Sequence, residues 1–505
     1  METEAAAAPA AKKRRTEPHA GREPEAFLSP EPHEPLPPAD APHSGLTRGP
    51  EPEGSHGHEP PRGAGGEEED GVDRIGLLPD AVLGDIISLL PTKDGIRTQT
   101  LATRWRRLWR SAPLNLDCGG GGLHEDGEVQ ASLISRILEA HPGPARRLSV
   151  PVLHLHRRPS TVDDWLSSAA LDNLQELEFD IGNKYFRPTP GVSLPASAFR
   201  FSATLRVVSI SKCHISDSAV GALSFPQLRQ LGLRRVEISE GSLNSIISSS
   251  PVLEYLMLYY IEGLHTIRIN SPSLVSIGFY FDSNNLIIED APSLQRLLPL
   301  EDRTVVHISV ISAPRLETLG ISDILSKSKC TFGTTILQDL GIVRFATEMQ
   351  SVKILALSIF ELNLDTVINL MRCFPCVEKL YIQKSCWFKG KNLWRRKHRD
   401  LVRCLDLRMK KVVFGNYRGI RSEVNFATFF VLNAKMLELV RFECGISANS
   451  NEFVARQHRL LQLEKRASKD AQFHFTKYCE RPPHIKHVSD LSKADPFECG
   501  SMCVR

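Results

Sequence analysis

The sequence predicts an α/β chain: a short three-helix unit near the front, a long curved array of strands behind it, and an unstructured leader before both. Three observations carry this. Between Gly76 and Trp109 apolar residues recur at helical spacing between proline stops. From about residue 148 a proline-aliphatic pattern repeats with strand spacing after it. Residues 1–70 are rich in Pro, Glu, Gly and His and nearly devoid of large apolar side chains, so they cannot offset the entropy of ordering. Within that leader, Lys12-Lys13-Arg14-Arg15 reads either as a nuclear-import signal or as a solvated charge run.

The 505 residues suffice for about three domains and a large core. A net charge of +3 demands neither nucleic acid nor a membrane as partner. Eleven scattered cysteines without a secretory leader point to reduced thiols, hence to the nucleus and/or the cytoplasm. No apolar run approaches the roughly 20 residues of a membrane span.

The helical unit opens with Leu77-Leu78-Pro79-Asp80. Proline suits a first helical turn, and an aspartate there meets the positive end of the helix dipole. Val82, Ile86, Leu89 and Leu90 follow as one stripe until Pro91 stops the helix. Thr92 is a candidate cap for a second helix through Ile96 and Leu101, and Trp105, Leu108 and Trp109 share one face of a third. A unit of about 40 residues buries too little surface to be robust alone, and each large apolar side chain left in water forfeits roughly 1.5–3 kcal/mol. The surplus points to a docking surface. Trp105 and Trp109 fit either that surface or an internal core.

The run Leu78 to Leu83, then Ile86 to Lys93, Arg97-Thr98, and Arg104-Trp105-Arg106-Arg107-Leu108-Trp109 resembles the plant-type F-box over the whole motif. That resemblance implies binding to the S-phase-kinase-associated linker subunit of a cullin-based ubiquitin ligase. The implied contact residues are Leu77, Leu78, Pro79, Asp80, Val82, Ile86, Leu89, Leu90 and Pro91, with Trp105 and Trp109.

Behind this unit a proline stands two residues before an aliphatic at Pro226, Pro251, Pro272, Pro292, Pro314 and Pro375, mostly at roughly the 20–25-residue period of leucine-rich repeats. After the aliphatic come further apolar residues at offsets three and five, such as Leu231 and Leu233 or Leu256 and Leu258. Their separation of two puts both on one strand face, and the proline marks the corner before it. Leu294 and Leu297 are followed by Pro299, which predicts a distorted repeat. Leu264, Ile267, Ile269 and Val305, Ile308, Val310 predict that some coils carry a second strand. No single repeat buries its leucines alone, whereas stacked coils do.

This half resembles the leucine-rich-repeat F-box proteins of plants. Lys410 to Val413, Asn416-Tyr417-Arg418-Gly419 and Asn425 to Ala434 are similar to the FBD module found after such repeats, with Phe426, Phe429, Phe430, Leu432 and Leu437 as core and Phe442 on a following strand. A helix from about Asn451 to Arg466 is expected to close the solenoid. The expected boundaries are a leader at 1–70, the F-box at 74–117, repeats at 148–395, the FBD-like module at 396–480 and an irregular end at 481–505.

If the strand leucines face the core, alternate positions line the concave side. Tyr255, Tyr259, Tyr280, Lys379, Tyr381 and Gln383 are therefore the candidate target-binding residues. A basic stretch from Lys384 to Arg403, with Trp387 and Trp394 interleaved near Arg395, reads as a solvated loop, with a phosphorylated or nucleic-acid ligand as the alternative. Cys373 and Cys376 are one pair where structural zinc needs four ligands, and His154 and His156, on an expected strand, have no third ligand. Gly119 to Gly122 lacks the lysine of a phosphate loop and reads as a linker. No catalytic constellation, metal or cofactor is expected. The reading is a noncatalytic adaptor that brings a protein target to a ligase; the alternatives are a scaffold without ligase contact and a nuclear nucleic-acid binder.

Overall fold

The computed structural model describes residues 74–498 apart from 120–123, 125, 142–143, 182–191, 222, 282–283, 302–305, 324–328, 334, 339–340, 345–348, 360–363, 385–391, 393–407, 446–449 and 478–484. The leader with Lys12 to Arg15, and the basic residues Lys389, Lys391, Arg395 to His398 and Arg403 with Trp387 and Trp394, lie outside the described residues.

Three helices form the front unit: α1 (Asp80–Leu89), α2 (Thr92–Arg97) and α3 (Thr103–Ser111). Pro79 and Pro91 stand just before α1 and α2, in extended conformation. Thr92 does not cap α2. Its buried hydroxyl donates to Asn115 O at 2.6 Å and accepts from Asp117 N at 2.7 Å, tying the unit to the first strand. Leu83, Ile87, Trp105, Leu108 and Ala112 make a small core, with Leu78 and Trp109 packed against it. The helical stripe read from Val82, Ile86 and Leu89 points outward instead; Leu83 and Ile87, one position on, are the inward pair.

Among the described residues, fourteen parallel strands follow in one sheet, from Leu114–Asp117 to Gln472–Lys477. Each repeat contributes one strand in register with its neighbours, so Leu231, Leu256 and Ile277 lie side by side, as do Leu233, Leu258 and Phe279. These side chains are essentially fully buried. The repetition explains the stability: a leucine that one coil leaves bare is covered by the next.

The second-strand expectation holds for the middle coils. Thr266–Asn270, Asn284–Asp290 and Val306–Val310 pair in parallel as part of a six-stranded second sheet. Other coils return by helices, among them Glu240–Ser248, Leu364–Cys373 and Arg421–Asn433. The Pro299 repeat is short, a four-residue strand paired to the next one through Arg296 and Leu297, because proline has no N–H for the ladder.

His154 and His156 are not on a strand. The strand Ala145–Pro151 ends at its proline, which instead starts the helix Val152–Arg157. His154 is buried with its Nε2 2.7 Å from Gln130 Oε1, and His156 Nε2 lies 2.7 Å from Lys212 O. Burial lowers the basicity of both rings. Among the described residues no cluster of His, Cys, Asp or Glu suits a metal ion, and no helix is long and apolar enough to cross a membrane.

Three successive coils place a non-glycine residue in the left-handed region directly after the strand: Lys212, Arg235 and Tyr260, with φ of 52°, 52° and 55°. Such residues are uncommon and locally unfavourable. Their recurrence at one place in the coil marks it as a turn imposed by the stacking.

In the FBD region Phe414 stacks on Phe442 at 5.2 Å and Phe442 on Phe475 at 4.8 Å, while the helix Arg421–Asn433 supplies Phe426, Phe429 and Phe430 from one side. Leu432 is half-buried, at the margin of this core. Glu423 accepts from the N–H groups of Arg418 and Gly419 at 2.7 and 2.8 Å. Gly419 has φ +69°, and a β-carbon there would stand 2.3 Å from Gln457 Nε2. The expected closing helix runs only over Asn451–Leu460, because Gln462 adopts a left-handed φ of 55° before a short 3-10 turn. Phe430→Ala removes a fully buried ring from the middle of the aromatic cluster and should cost about 3–5 kcal/mol, read as a lower midpoint in urea or guanidinium unfolding.

Candidate protein-docking surfaces

Two surfaces stand out. The first is the outer face of α1. Leu77 is 74% exposed, Leu89 65%, and Val82 and Ile86 are about two-fifths exposed, so four apolar side chains share a small area. Singly exposed apolar residues need no explanation, but a contiguous group marks an interaction site. Arg104 of α3 fixes the turn leading into it. Its guanidinium donates to Leu78 O at 2.6 Å, to Asp80 Oδ1 and to Gly76 O. Pro79, Asp80 and Pro91 are exposed beside this face, and Leu90 is half-buried. Trp105 and Trp109 belong elsewhere. Trp105 is buried in the helical core, and Trp109 packs edge-on against His141 at 5.1 Å, where its carbonyl lies 3.1 Å from His141 Nε2.

The second surface is the sheet face opposite the leucine core. Register places Ser149, Glu178 and Ser209 side by side at one end, followed by Gly232, Met257 and Gly278. Farther along come Gly320, Ala356, Tyr381 and Val413. The middle of this row is not open. Residues 485–498 lie over it, and Val488, Leu491 and Phe497 form a separate apolar cluster with Met257, Leu298, Ala356, Tyr381 and Val413.

This placement changes the picture of the expected target-binding residues. Tyr381 is 2% exposed, covered by Phe497 at 5.6 Å, and its single O–H is shared between Asp495 Oδ2 and Glu498 Oε2 at 2.9 and 3.0 Å. Lys379 pairs with Asp495 at 2.8 Å. Tyr255 packs against the same cluster. Tyr259 and Tyr280 are half-buried with rings 5.0 Å apart; Arg234 lies over Tyr259, whose hydroxyl donates to Glu301 at 3.0 Å. Burial and the Glu301 carboxylate push the Tyr259 phenol up to about 12. Gln383 is half-buried on the same strand as Lys379 and Tyr381.

In the sequence the segment 485–498 reads only as part of the irregular end at 481–505. Its one signal is the spacing of three among Ile485, Val488 and Leu491, which suits a one-sided 3-10 turn, and Val488–Ser492 forms one. Of the cations that meet it, Lys379 was placed on this face by the pleat, while Lys411 and Arg441 were not. Lys411 pairs with Glu498, and Arg441 donates to the same carboxylate at 3.0 Å. Burial alone would raise Glu498, yet Lys411, Arg441 and the Tyr381 hydroxyl together hold it below the usual carboxylate range.

At the other end of the row a cavity of about 670 Å³ opens between the sheet and Lys486, His487 and Ser489. Arg147 bridges Glu176 and Glu178 there, at 2.9 and 2.5 Å. Burial opposes ionisation of Glu178, but the His487 ring, 3.4 Å away, with Arg147 and Ser149, keeps its carboxyl below the ordinary value.

Comparison with known proteins finds relatives of the repeats and of the FBD region. Residues 162–382 match the model of the leucine-rich repeats of the FBD-associated F-box protein At5g56370, and residues 397–442 match the FBD model. Across 78% of the chain and 88% of the relative, it is 24% identical to the putative F-box/FBD/LRR-repeat protein At5g22610 of Arabidopsis thaliana. Its relatives are plant F-box/FBD/LRR-repeat proteins. It is also 26% identical to the Arabidopsis thaliana F-box/FBD/LRR-repeat protein At1g13570 over 44% of the chain, and 30% identical to At5g22700 over 51%. It spans about half the length of each of those two relatives, 52% and 55%. The role that goes with this family is protein interaction, and its members are typically adaptors without catalysis of their own.

Next to the Glu498 cluster sits a further carboxyl, Glu443, buried at 5% exposure on the strand Leu439–Cys444. Burial, reinforced by Glu498 against the opposing Arg441 and Lys411, raises it to about 7. A carboxyl raised by folding is neutral inside and ionised in the unfolded chain, so it costs no stability below about pH 4.5 and costs progressively more as the pH rises to about 7. Glu443→Gln should therefore stabilise the protein at pH 8, by up to roughly 3 kcal/mol, and leave it unchanged at pH 4. Melting temperatures of both proteins at the two pH values check this; an equal shift at both would contradict it.

Proposed function

We propose that the chain is a substrate-recognition adaptor of a cullin-based, SCF-type ubiquitin ligase. In this reading the α1 face docks on the S-phase-kinase-associated linker subunit, and the open face of the repeats holds a protein target. The observation that supports it best is the exposed apolar group Leu77, Val82, Ile86 and Leu89 on a helix whose inner side is already packed. Hydrophobic surface of this kind on a small unit is stabilised by a partner.

An adaptor of this kind needs no reactive side chain. Holding a target beside the ubiquitin-charged enzyme raises the effective concentration of its lysines, and transfer is the work of other subunits. The chain acts in this reading in the nucleus, the cytoplasm or both.

The test follows from which residues are free of the core. Leu78 packs partly on the helical core, so its truncation mixes folding with binding. Leu77→Ala, Val82→Ala and Ile86→Ala together trim side chains that lie outside the helical core. The triple variant should weaken capture of the purified linker subunit at least roughly 100-fold while circular dichroism shows the chain still folded. Undiminished capture would reject the α1 docking face.

A further inference from the structure

The segment 485–498 sits on the sheet in the manner of a bound peptide. It adds no strand there; the sheet's last strand, Gln472–Lys477, comes before it in the chain. Among the described residues, two arginines on the sheet hold its backbone, Arg234 donating to Lys486 O at 2.7 Å and Arg296 to Leu491 O at 3.2 Å. The remaining attachment is through side chains, and for these the sheet is shaped. Val488 lies over Gly232, Leu491 over Gly278 and Phe497 over Gly320. A β-carbon at Gly232 or Gly278 would stand 3.2 Å from Val488 or 2.8 Å from Leu491, whereas at Gly320 it would meet Pro299 of the neighbouring strand at 2.3 Å, with Phe497 in ordinary contact at 3.4 Å. Larger residues there would close the groove.

Charge complements shape at the far end. Lys379, Lys411 and Arg441 on three neighbouring strands, with the Tyr381 hydroxyl among them, converge on the two carboxylates Asp495 and Glu498, which flank Phe497. Phe497 packs on the Tyr381 ring between them. With the segment lifted away, this face presents three cations and a tyrosine beside an apolar groove floored by glycine.

We infer that residues 485–498 are an internal occupant of the target-binding face, and that the target they stand in for is a protein carrying an acidic segment in which an aromatic residue lies between two carboxylates, Asp-x-aromatic-Glu, after upstream apolar residues. This rests on the open sheet face being where a target is held, and it adds the chemistry of that target and a gate on its binding. A tethered occupant competes at an effective concentration on the order of millimolar, so a target binds only when it outcompetes the segment or when the segment is released. Charge-paired contacts of this kind weaken as salt is raised.

The test uses the full chain and a fluorescently labelled synthetic peptide of sequence 485–498. Asp495→Ala, Phe497→Ala and Glu498→Ala in the full chain release the tethered acidic end. The peptide should bind this variant at least ten-fold tighter than the native chain. Adding Lys411→Glu should abolish the gain, as should replacing Asp495 and Glu498 of the peptide by their amides, with its Asp490 kept. Binding no tighter than to the native chain, with the variant folded by circular dichroism, would overturn the inference and leave the segment a permanent cap.

Should the triple variant not fold, a protease site placed within 478–484 and cleaved after folding leaves every contact residue native. The labelled peptide should then exchange into the cleaved protein; retention of the original segment against excess peptide would again overturn it. No ligase subunit enters either assay, so failure of α1 docking and failure of this inference are separately visible.

Discussion

A parallel sheet has two faces, and in water both must be accounted for. One face of this sheet is filled by the recurring leucines of the coils and by the helices and second sheet that return behind them. The other face has no such provision built into the repeat. Its treatment therefore varies along the sheet: ion pairs around Arg147 and Glu178 at one end, the apolar cover of residues 485–498 in the middle, and cations meeting Asp495 and Glu498 toward the other end. The cavity, the buried Tyr381 and the raised Glu443 all follow from how that face is closed.

The repeats, the three helices and the FBD aromatic core were legible in the sequence because each depends on local spacing. Leu256 and Leu258 announce a strand face by their separation alone, and Pro299 announces a weak repeat by its missing N–H. What spacing does not reveal is which of two adjacent positions on a short helix turns inward. Val82, Ile86 and Leu89 fit the same period as Leu83 and Ile87, and only the packing of Trp105 and Leu108 decided between them. For the histidines at 154 and 156, alternation suggested a strand, and Pro151 overrode it by ending the ladder and beginning a helix.

The open face was half legible. Pleat geometry located Tyr255, Lys379 and Tyr381 on it, but their partners lie far off in sequence. Tyr381 and Asp495 are separated by 114 positions and Arg296 and Leu491 by 195. No periodicity connects such residues. The irregular end of the chain, which offered little pattern of its own, takes its conformation from the surface beneath it.

The buried Thr92 hydroxyl has a mechanical meaning. It bonds α2 to both Asn115 and Asp117 of the first strand, while Asn115 donates back to Leu90 O and Trp109 leans on His141. Helices and sheet are thereby bolted together without a swivel. The spacing and angle between whatever grips the α1 surface and whatever rests on the repeats are set by the fold, as in a jig that holds two workpieces, so the reach of one toward the other is a fixed dimension of the molecule.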